Sequence, residues 1–499
     1  MEVYATERLD REQLEQSLGS DVKLYPKSVT NLGECSIALV RQGRQRYLVA
    51  CGSGPIYDEF DGEMHGAIKR CGTTHANRLI LNRYLPYTVP SANTAQKPSI
   101  GLGDRLGEAT GGHIAALGES AVYPIFAQQS IRELNFTDRT FSDVIDSAAW
   151  AIFAQGWTAA WGADGDHLKR EAEVANALRD GATMITLDSS EQIDNTIQGL
   201  DEQGLLARYE ALDEGIRSAY EERYRDKAHT IGDVTITLDG TSLARDVLIY
   251  DKALTFMQQV WEHQIKECGR PIDFEISIDE TDTPTDVKSH LFIALELKRR
   301  QVVVSTLAPR FIGEFQKGID YRGDLGLFEE DLVLHSAIAR HFGYRLSVHS
   351  GSDKFSIFPI LGRLLAGRFH IKTAGTNWLE AMRLMAQKDP GLYRRMHEHA
   401  LTRFADATAF YHVTTDLGAI KPLADVTDEE LEAYLGDDNA RQLLHITYGY
   451  LLLDEDGAGK KLFRDEFFAL LAKEEESYQA LLSSHIGRHL DLLGFRTAG

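Results

Sequence analysis

DFEISID (273–279), QVVVSTLAP (301–309), RLSVHSG (345–351) and FHIKTAG (369–375) follow one another along one stretch of the chain. Each is a short run rich in apolar or β-branched residues. Helical patterns lie between them, TDVKSHLFIALELKRR (285–300) and LVLHSAIARHFG (332–343). Strand, helix and strand without a hairpin turn predicts parallel strands joined by crossovers. The same rhythm extends backwards through SIGLGDR (99–105), YPIFAQQ (123–129), WTAAWGAD (157–164) and ATMITLD (182–188). The patterns DRTFSDVIDSAAWAIFAQ and HLKREAEVANALRDG fall in the gaps. Eight such units predict an α/β protein with a (β/α)8, or TIM-type, barrel over about residues 96–390.

The gap between the fourth and fifth runs is long. It holds helical patterns at 201–226 and 244–268 and a hairpin candidate, HTIGDVTITLDG (229–240). Residues 190–270 therefore read as an insertion placed to cover the barrel mouth. Residues 1–95 read as a small α/β region with strands CSIALV (35–40) and RYLVACG (46–52) and no catalytic constellation. Residues 391–499 read as a charged helical extension for packing or for contact between subunits.

The chain has 499 residues, of which 43% are hydrophobic, enough to fold as a globular protein. Its 53 Lys and Arg against 75 Asp and Glu leave a charge of −22. That balance excludes broad binding to nucleic acid or anionic membranes, while leaving room for a local cationic pocket. None of the four cysteines forms a CxxC pair, so neither a zinc knuckle nor a disulfide framework is indicated. The opening MEVYATERLDREQLEQSLG lacks the apolar core of a signal peptide, and no apolar run approaches the roughly 20 residues of a membrane span. A cytoplasmic location is expected.

In barrels of this kind chemistry collects at the C-terminal ends of the strands. Here those ends carry Asp104-Arg105, Gln128-Gln129, Asp166-His167, Asp188, Asp279, Glu314 to Lys317, His349 to Lys354, and Lys372. So many ionisable ends over apolar strand bodies point to an enzyme. His167 and His349 are metal candidates, because imidazoles from separated strands can meet across a mouth. Gln316, Glu314 and Glu275 are eligible oxygen partners, and His167 as a helix cap is the structural alternative. Glu275, Ser277 and Asp279 alternate with Phe274, Ile276 and Ile278, so the polar three share one face. Asp166 and Glu275 suit proton transfer from two sides of a ligand. Salt bridges to Lys169, Lys317 or Lys354 are the alternative for either carboxylate. HSGSDK and KTAGTN present glycine-rich turns before helices, with Lys354 and Lys372 adding charge, as expected of an anion site for a sugar phosphate or carboxylate. Lys372 as a Schiff-base lysine is a further alternative.

Six stretches together resemble the tagaturonate epimerase family of hexuronate catabolism. They are PSIGLGDRLGEATGGHI (98–114), GADGDHLK (162–169), FEISIDETDTPT (274–285), LAPRFIGEFQKGIDY (307–321), SVHSGSDKFSIFPILGR (347–363) and HIKTAGTNWLEA (370–381). The resemblance covers about residues 20–450. It implies interconversion of D-tagaturonate and D-fructuronate with a divalent cation (Zn, Mn, Co or Ni). By matching motifs, the metal ligands fall on His167, Gln316 and His349, and the acid/base pair on Asp166 and Glu275. Asp104, Arg105, His113, Lys354 and Lys372 are the candidate substrate contacts. The competing readings are a metal-dependent ketose 3-epimerase or aldose–ketose isomerase, a two-carboxylate glycosidase, and a non-catalytic sugar-acid binding protein.

Overall fold

The computed structural model of the chain describes residues 22–65, 68–281 and 283–496. At its centre eight strands close into a barrel. They are β1 (Ser99–Leu102), β2 (Tyr123–Ser130), β3 (Gly162–Leu168), β4 (Met184–Asp188), β5 (Asp273–Ile278), β6 (Thr306–Pro309), β7 (Arg345–Val348) and β8 (Phe369–Thr373). Each pairs in parallel with its neighbour in chain order, and β8 pairs back to β1. Every run read as a barrel strand overlaps one, though the third strand lies mostly beyond WTAAWGAD. The VVV of 302–304 is the exception within its run, because the chain turns there. The preceding helix, Val287–Arg299, ends just before it, Gln301 takes a left-handed φ of 59°, and Val303 is exposed.

Period-two alternation places β5 as its sequence predicts. Phe274, Ile276 and Ile278 join the apolar layer between strands and helices, together with Leu187, Leu307, Val348, Ile371 and Phe292. Glu275 and Ser277 face the other way. The barrel interior is consequently polar. Asp164, Thr186, Glu275, Thr306 and Lys372 are all buried there and bonded to one another.

The insertion after β4 forms helices Glu202–Glu210 and Glu214–Tyr224, a hairpin Lys227–Ile231 and Val234–Leu238, and a long helix Gly240–Val260. The hairpin is where the sequence puts it. Among its described residues the insertion reaches the cavity at the mouth through Glu191 alone. It packs outside the barrel against Val287–Arg299, where the Tyr220 and Tyr224 rings lie 5.7 and 5.9 Å from Phe292 and the Tyr224 hydroxyl donates to Glu296 at 2.6 Å. Aromatic and aliphatic side chains along the insertion, among them Leu205, Tyr209, Tyr220, Tyr224, Leu243 and Leu254, are drawn into that core, which fixes it to the flank.

Residues 22–65 and 68–72 make a six-stranded antiparallel sheet, backed by helix His75–Tyr84 and packed on Trp150 and Phe153 of helix Phe141–Gln155. Residues beyond 389 build a second apolar core around Trp378, Tyr448 and Phe467. The last helix, Glu475–Leu492, lies so close to helix Thr110–Leu117 that a Cβ on Gly112 would stand 2.6 Å from Leu482. Glu475 accepts from the Tyr25 hydroxyl at 2.8 Å and pairs with Arg41 and Arg46 at 3.4 and 3.3 Å. The N-terminal sheet, the first barrel unit and the C-terminal helix are thus joined in one place. No helix among the described residues is long and apolar enough to cross a membrane.

Phe292→Ala should cost about 3–5 kcal/mol in urea unfolding, as expected for truncating a buried aromatic. Because the packing of the insertion on Phe292 stands away from the mouth, KM should not change.

Candidate active site

β3 supplies two adjacent functional side chains, which a regular strand cannot do because neighbours point to opposite faces. Its pairing with β4 shifts midway: Gly165 lies opposite Ile185, but Leu168 lies opposite Leu187. His167 takes up the extra length with a left-handed φ of 53°. This bulge turns Asp166 and His167 toward the mouth together. Across the barrel, Asp279 follows β5 and His349 follows β7.

These residues form one hydrogen-bonded group. His167 Nδ1 lies 2.7 Å from Asp166 Oδ1, and His349 Nε2 lies 2.8 Å from Glu275 Oε1. A carboxylate behind each ring holds a proton on that side and aims the other nitrogen inward. Those inward atoms converge on Asp279 Oδ1, with His349 Nδ1 at 3.1 Å and His167 Nε2 at 4.0 Å. The three atoms fall within 4.8 Å of one another. His349 Nδ1 is buried, and the Asp279 carboxylate is the polar group that faces it. Two lone pairs at that separation repel unless a proton or a cation stands between them.

Lys372 sits beneath. Its ammonium lies 2.8 Å from Asp164, 2.6 Å from Asp166 and 3.0 Å from Glu275, and it donates to the Thr186 hydroxyl. Burial depresses the Lys372 pKa, but these carboxylates outweigh it and hold the value well above normal. Burial raises the Asp166 carboxyl, and Lys372 and His167 overcome this to hold it well below the usual range. Burial likewise opposes ionisation of Glu275, and Lys372 and His349 prevail. Asp164 differs: burial, with Asp166 and Glu275 nearby, pushes it up to about 6 against Lys372. Burial lowers the His167 pKa, yet Asp166 and Asp279 lift it to about 10. Asp164, Asp166, Glu275 and Asp279 still outnumber Lys372 and the two imidazoles, so the cluster is short of positive charge.

Asp166, His167, Asp279, His349 and Lys372 open onto a cavity of about 390 Å³. Its wall also includes Arg105, Gln128, Lys317, Tyr411 and His445. Tyr411 and His445 come from the C-terminal extension, which therefore does more than pack. His445 lies against Gly375, where a Cβ would stand 1.7 Å from its Nε2. Asp353, past β7, pairs with His485 at 2.9 Å and with Arg441, so the extension also braces the loop carrying His349.

The remaining residues singled out from the sequence are engaged in other ways. Glu275 is fully buried below the histidines, so Asp166 and Glu275 share Lys372 instead of facing each other across a ligand. Gln316 accepts from Thr414 at 3.0 Å and from Gln442 at 2.8 Å, although it shares a cavity wall with Asp279 and His349. Asp104 spends both oxygens on the backbone N–H groups of Leu106, Gly107 and Ala109. Lys354 is fully buried and donates to the carbonyls of Gln316, Ile319 and Ser352, and burial pushes it down to about 7. His113 is enclosed in helix Thr110–Leu117. Arg105 does reach the cavity, paired with Glu133 at 2.8 Å and stacked 3.8 Å above the Tyr448 ring. Sequence reasoning left Asp279 out of the ligand candidates, although the alternation that marks Glu275 and Ser277 extends to it. Nothing local in the sequence marks Tyr411 or His445.

Charges buried this deep are costly, and a barrel keeps them at its C-terminal mouth where they act on a ligand. The molecule is a (β/α)8-barrel enzyme. Its relatives define it more narrowly: the tagaturonate epimerase family (UxaE) matches residues 25–493, and the chain belongs to that family. It is 36% identical over 481 residues to the tagaturonate/fructuronate epimerase of Thermotoga maritima, covering 95% of this chain and 98% of that protein. Crystal structures of the fructuronate–tagaturonate epimerase UxaE from Cohnella laeviribosi, native and with one glycerol, superpose with a TM-score of 0.94. They are 53% identical and cover 97% of this chain and 99% of theirs.

The raised His167 pKa has a signed consequence. In chelator-treated protein, its contribution to stability is complete below the unfolded pKa of about 6.5 and is lost as pH rises toward about 10. Thermal unfolding of His167→Gln should lack that loss. The comparison isolates His167 from Lys354, whose depressed pKa makes stability rise over the same range.

Proposed function

We propose that this protein interconverts D-tagaturonate and D-fructuronate, with a divalent cation held by His167, Asp279 and His349. The observation that carries the reading is the convergence of two carboxylate-backed imidazoles on Asp279 Oδ1, in a cluster short of positive charge. The names of its relatives supply the substrate pair. Two nitrogens and an oxygen suit Zn, Mn, Co or Ni. Gln316 stands outside this set and would have to leave Thr414 and Gln442 to join it. When bound, the cation supplies Lewis-acid stabilisation of negative charge on substrate oxygens.

The two ketouronates differ at the carbon beta to the ketone, whose C–H is not acidic. Inversion there without removing that hydrogen requires the adjacent C–C bond to break. Asp166 removes the proton from the hydroxyl on the inverting carbon. Its Oδ2 is suited to this, since the Gln128 amide at 3.4 Å is its hydrogen-bond partner, whereas Oδ1 serves His167 and Lys372. The oxygen's electrons form the aldehyde C=O, and the electrons of the broken bond pass to the ketone half as an enediolate. The aldehyde turns its other face, the bond re-forms, and the new alkoxide takes a proton. Lys372 is the proton-bearing group on the wall, and it recovers its proton from Asp166, 2.6 Å away. Glu275 holds Lys372 and His349 in place and acts through them. Atoms and electrons balance without a redox partner.

The test is turnover of D-tagaturonate by purified protein in heavy water. Chelator should abolish activity, and one of the four cations should restore it. The product should carry no carbon-bound deuterium. Deuterium on carbon would instead favour an alpha-proton epimerase or isomerase, and no turnover by folded, metal-supplemented protein would end the reading. Glu275→Gln should weaken metal affinity about 10- to 100-fold, as removal of a histidine's supporting carboxylate does, in a competition titration with a chromophoric chelator.

A further inference from the structure

The reaction proposed above divides its substrate into two halves, and each half needs a tether until the bond re-forms. The ketone half has the cation site. The carboxylate lies on the aldehyde half, which must be held while it turns. Among the cations lining the cavity, Arg105, Arg132, Lys169 and Lys372 each have a carboxylate within 4.0 Å, Lys354 is taken by three carbonyls, and Arg170 is exposed to solvent at the rim. Lys317 is half-buried and differs from them. Among the described residues its ammonium makes one side-chain hydrogen bond, to Ser350 Oγ at 2.8 Å, and has no carboxylate within 4.0 Å. Burial depresses its pKa, and Glu133 offsets this only in part. Ser350 directly follows His349, so Lys317 is anchored one residue from the cation group.

Two further features surround it. The helix Thr376–Lys388 begins at Gly375 with no side-chain cap, leaving backbone N–H groups unsatisfied where Ala374 and Gly375 line the cavity. His445, 1% exposed, also lines it, and its Nδ1 has no partner among the described residues.

We propose that Lys317 receives the substrate carboxylate, with Arg105 and the uncapped start of helix Thr376–Lys388 beside it, and so holds the aldehyde half while it presents its other face. This rests on the proposed function and adds the determinant that selects an acid over an uncharged ketose.

The experiment compares wild type with Lys317→Met and Lys317→Arg. It reads KM for D-tagaturonate and the inhibition constant of D-tagatose, the uncharged ketohexose of matching configuration. Loss of a charged hydrogen bond should raise KM for tagaturonate about 30-fold in Lys317→Met, with the D-tagatose constant shifting less than about threefold. Lys317→Arg should recover most of the loss. Equal shifts for both sugars, or no shift for either, would overturn the inference. A wild type that neither binds nor converts tagaturonate would sink the functional reading itself. Unchanged unfolding temperatures would show that the variants are folded.

Discussion

A lysine ammonium buried inside the barrel organises this molecule. Lys372 on β8 spans the interior to Asp164 and Asp166 on β3 and Glu275 on β5, so one side chain ties strands that are not neighbours. Neither charge could be left alone at such depth, because removing one partner from a buried pair strands the other. From this pairing the rest follows in order. The carboxylates that satisfy Lys372 also hold the outer nitrogens of His167 and His349. The inner nitrogens are thereby aimed at Asp279. Positive charge drawn to that point completes the neutralisation that Lys372 begins.

The surrounding regions keep this core in register. The barrel alone would leave the cavity open on the side of β6 to β8. Residues 389–496 close it with Tyr411 and His445, and the ion pairs of Asp353 hold the loop after β7. Glycine at position 375 is required because the His445 ring occupies the space of a side chain. The N-terminal sheet contributes no residue to the cavity lining. It acts at a distance, through Arg41 and Arg46 on the C-terminal helix.

The barrel was legible because hydrophobic alternation and helix spacing are local properties, and each of the eight strands overlaps a run that carries them, although the third lies mostly beyond its run, at Gly162–Leu168. Strand ends as places for chemistry were legible for the same reason. Asp166, His167, His349, Arg105 and Lys372 do open onto one cavity. What was not legible depends on what a polar side chain meets in three dimensions. Lys354 and Asp104 have the residue types of an anion site, yet backbone groups consume them. Gln316 is committed to partners about 100 residues away, Thr414 and Gln442, which no local pattern announces. The insertion looked like a cover because length alone says nothing of which side it folds to. Its tyrosines settle that by packing on Phe292.

The contact between the last helix and the first helix of the barrel bears on how the protein comes to exist. Leu482 meets Gly112 across some 370 positions of sequence. Contacts of such separation are slow to form, since the intervening chain must first be confined. On the ribosome the barrel strands emerge well before the segment that completes the cavity and seals the first unit. The nascent chain therefore passes through a stage in which the charged interior is assembled but not enclosed. The segment carrying Tyr411 and His445, and after it the helix that braces the loop beyond β7 through His485, are the last parts to arrive.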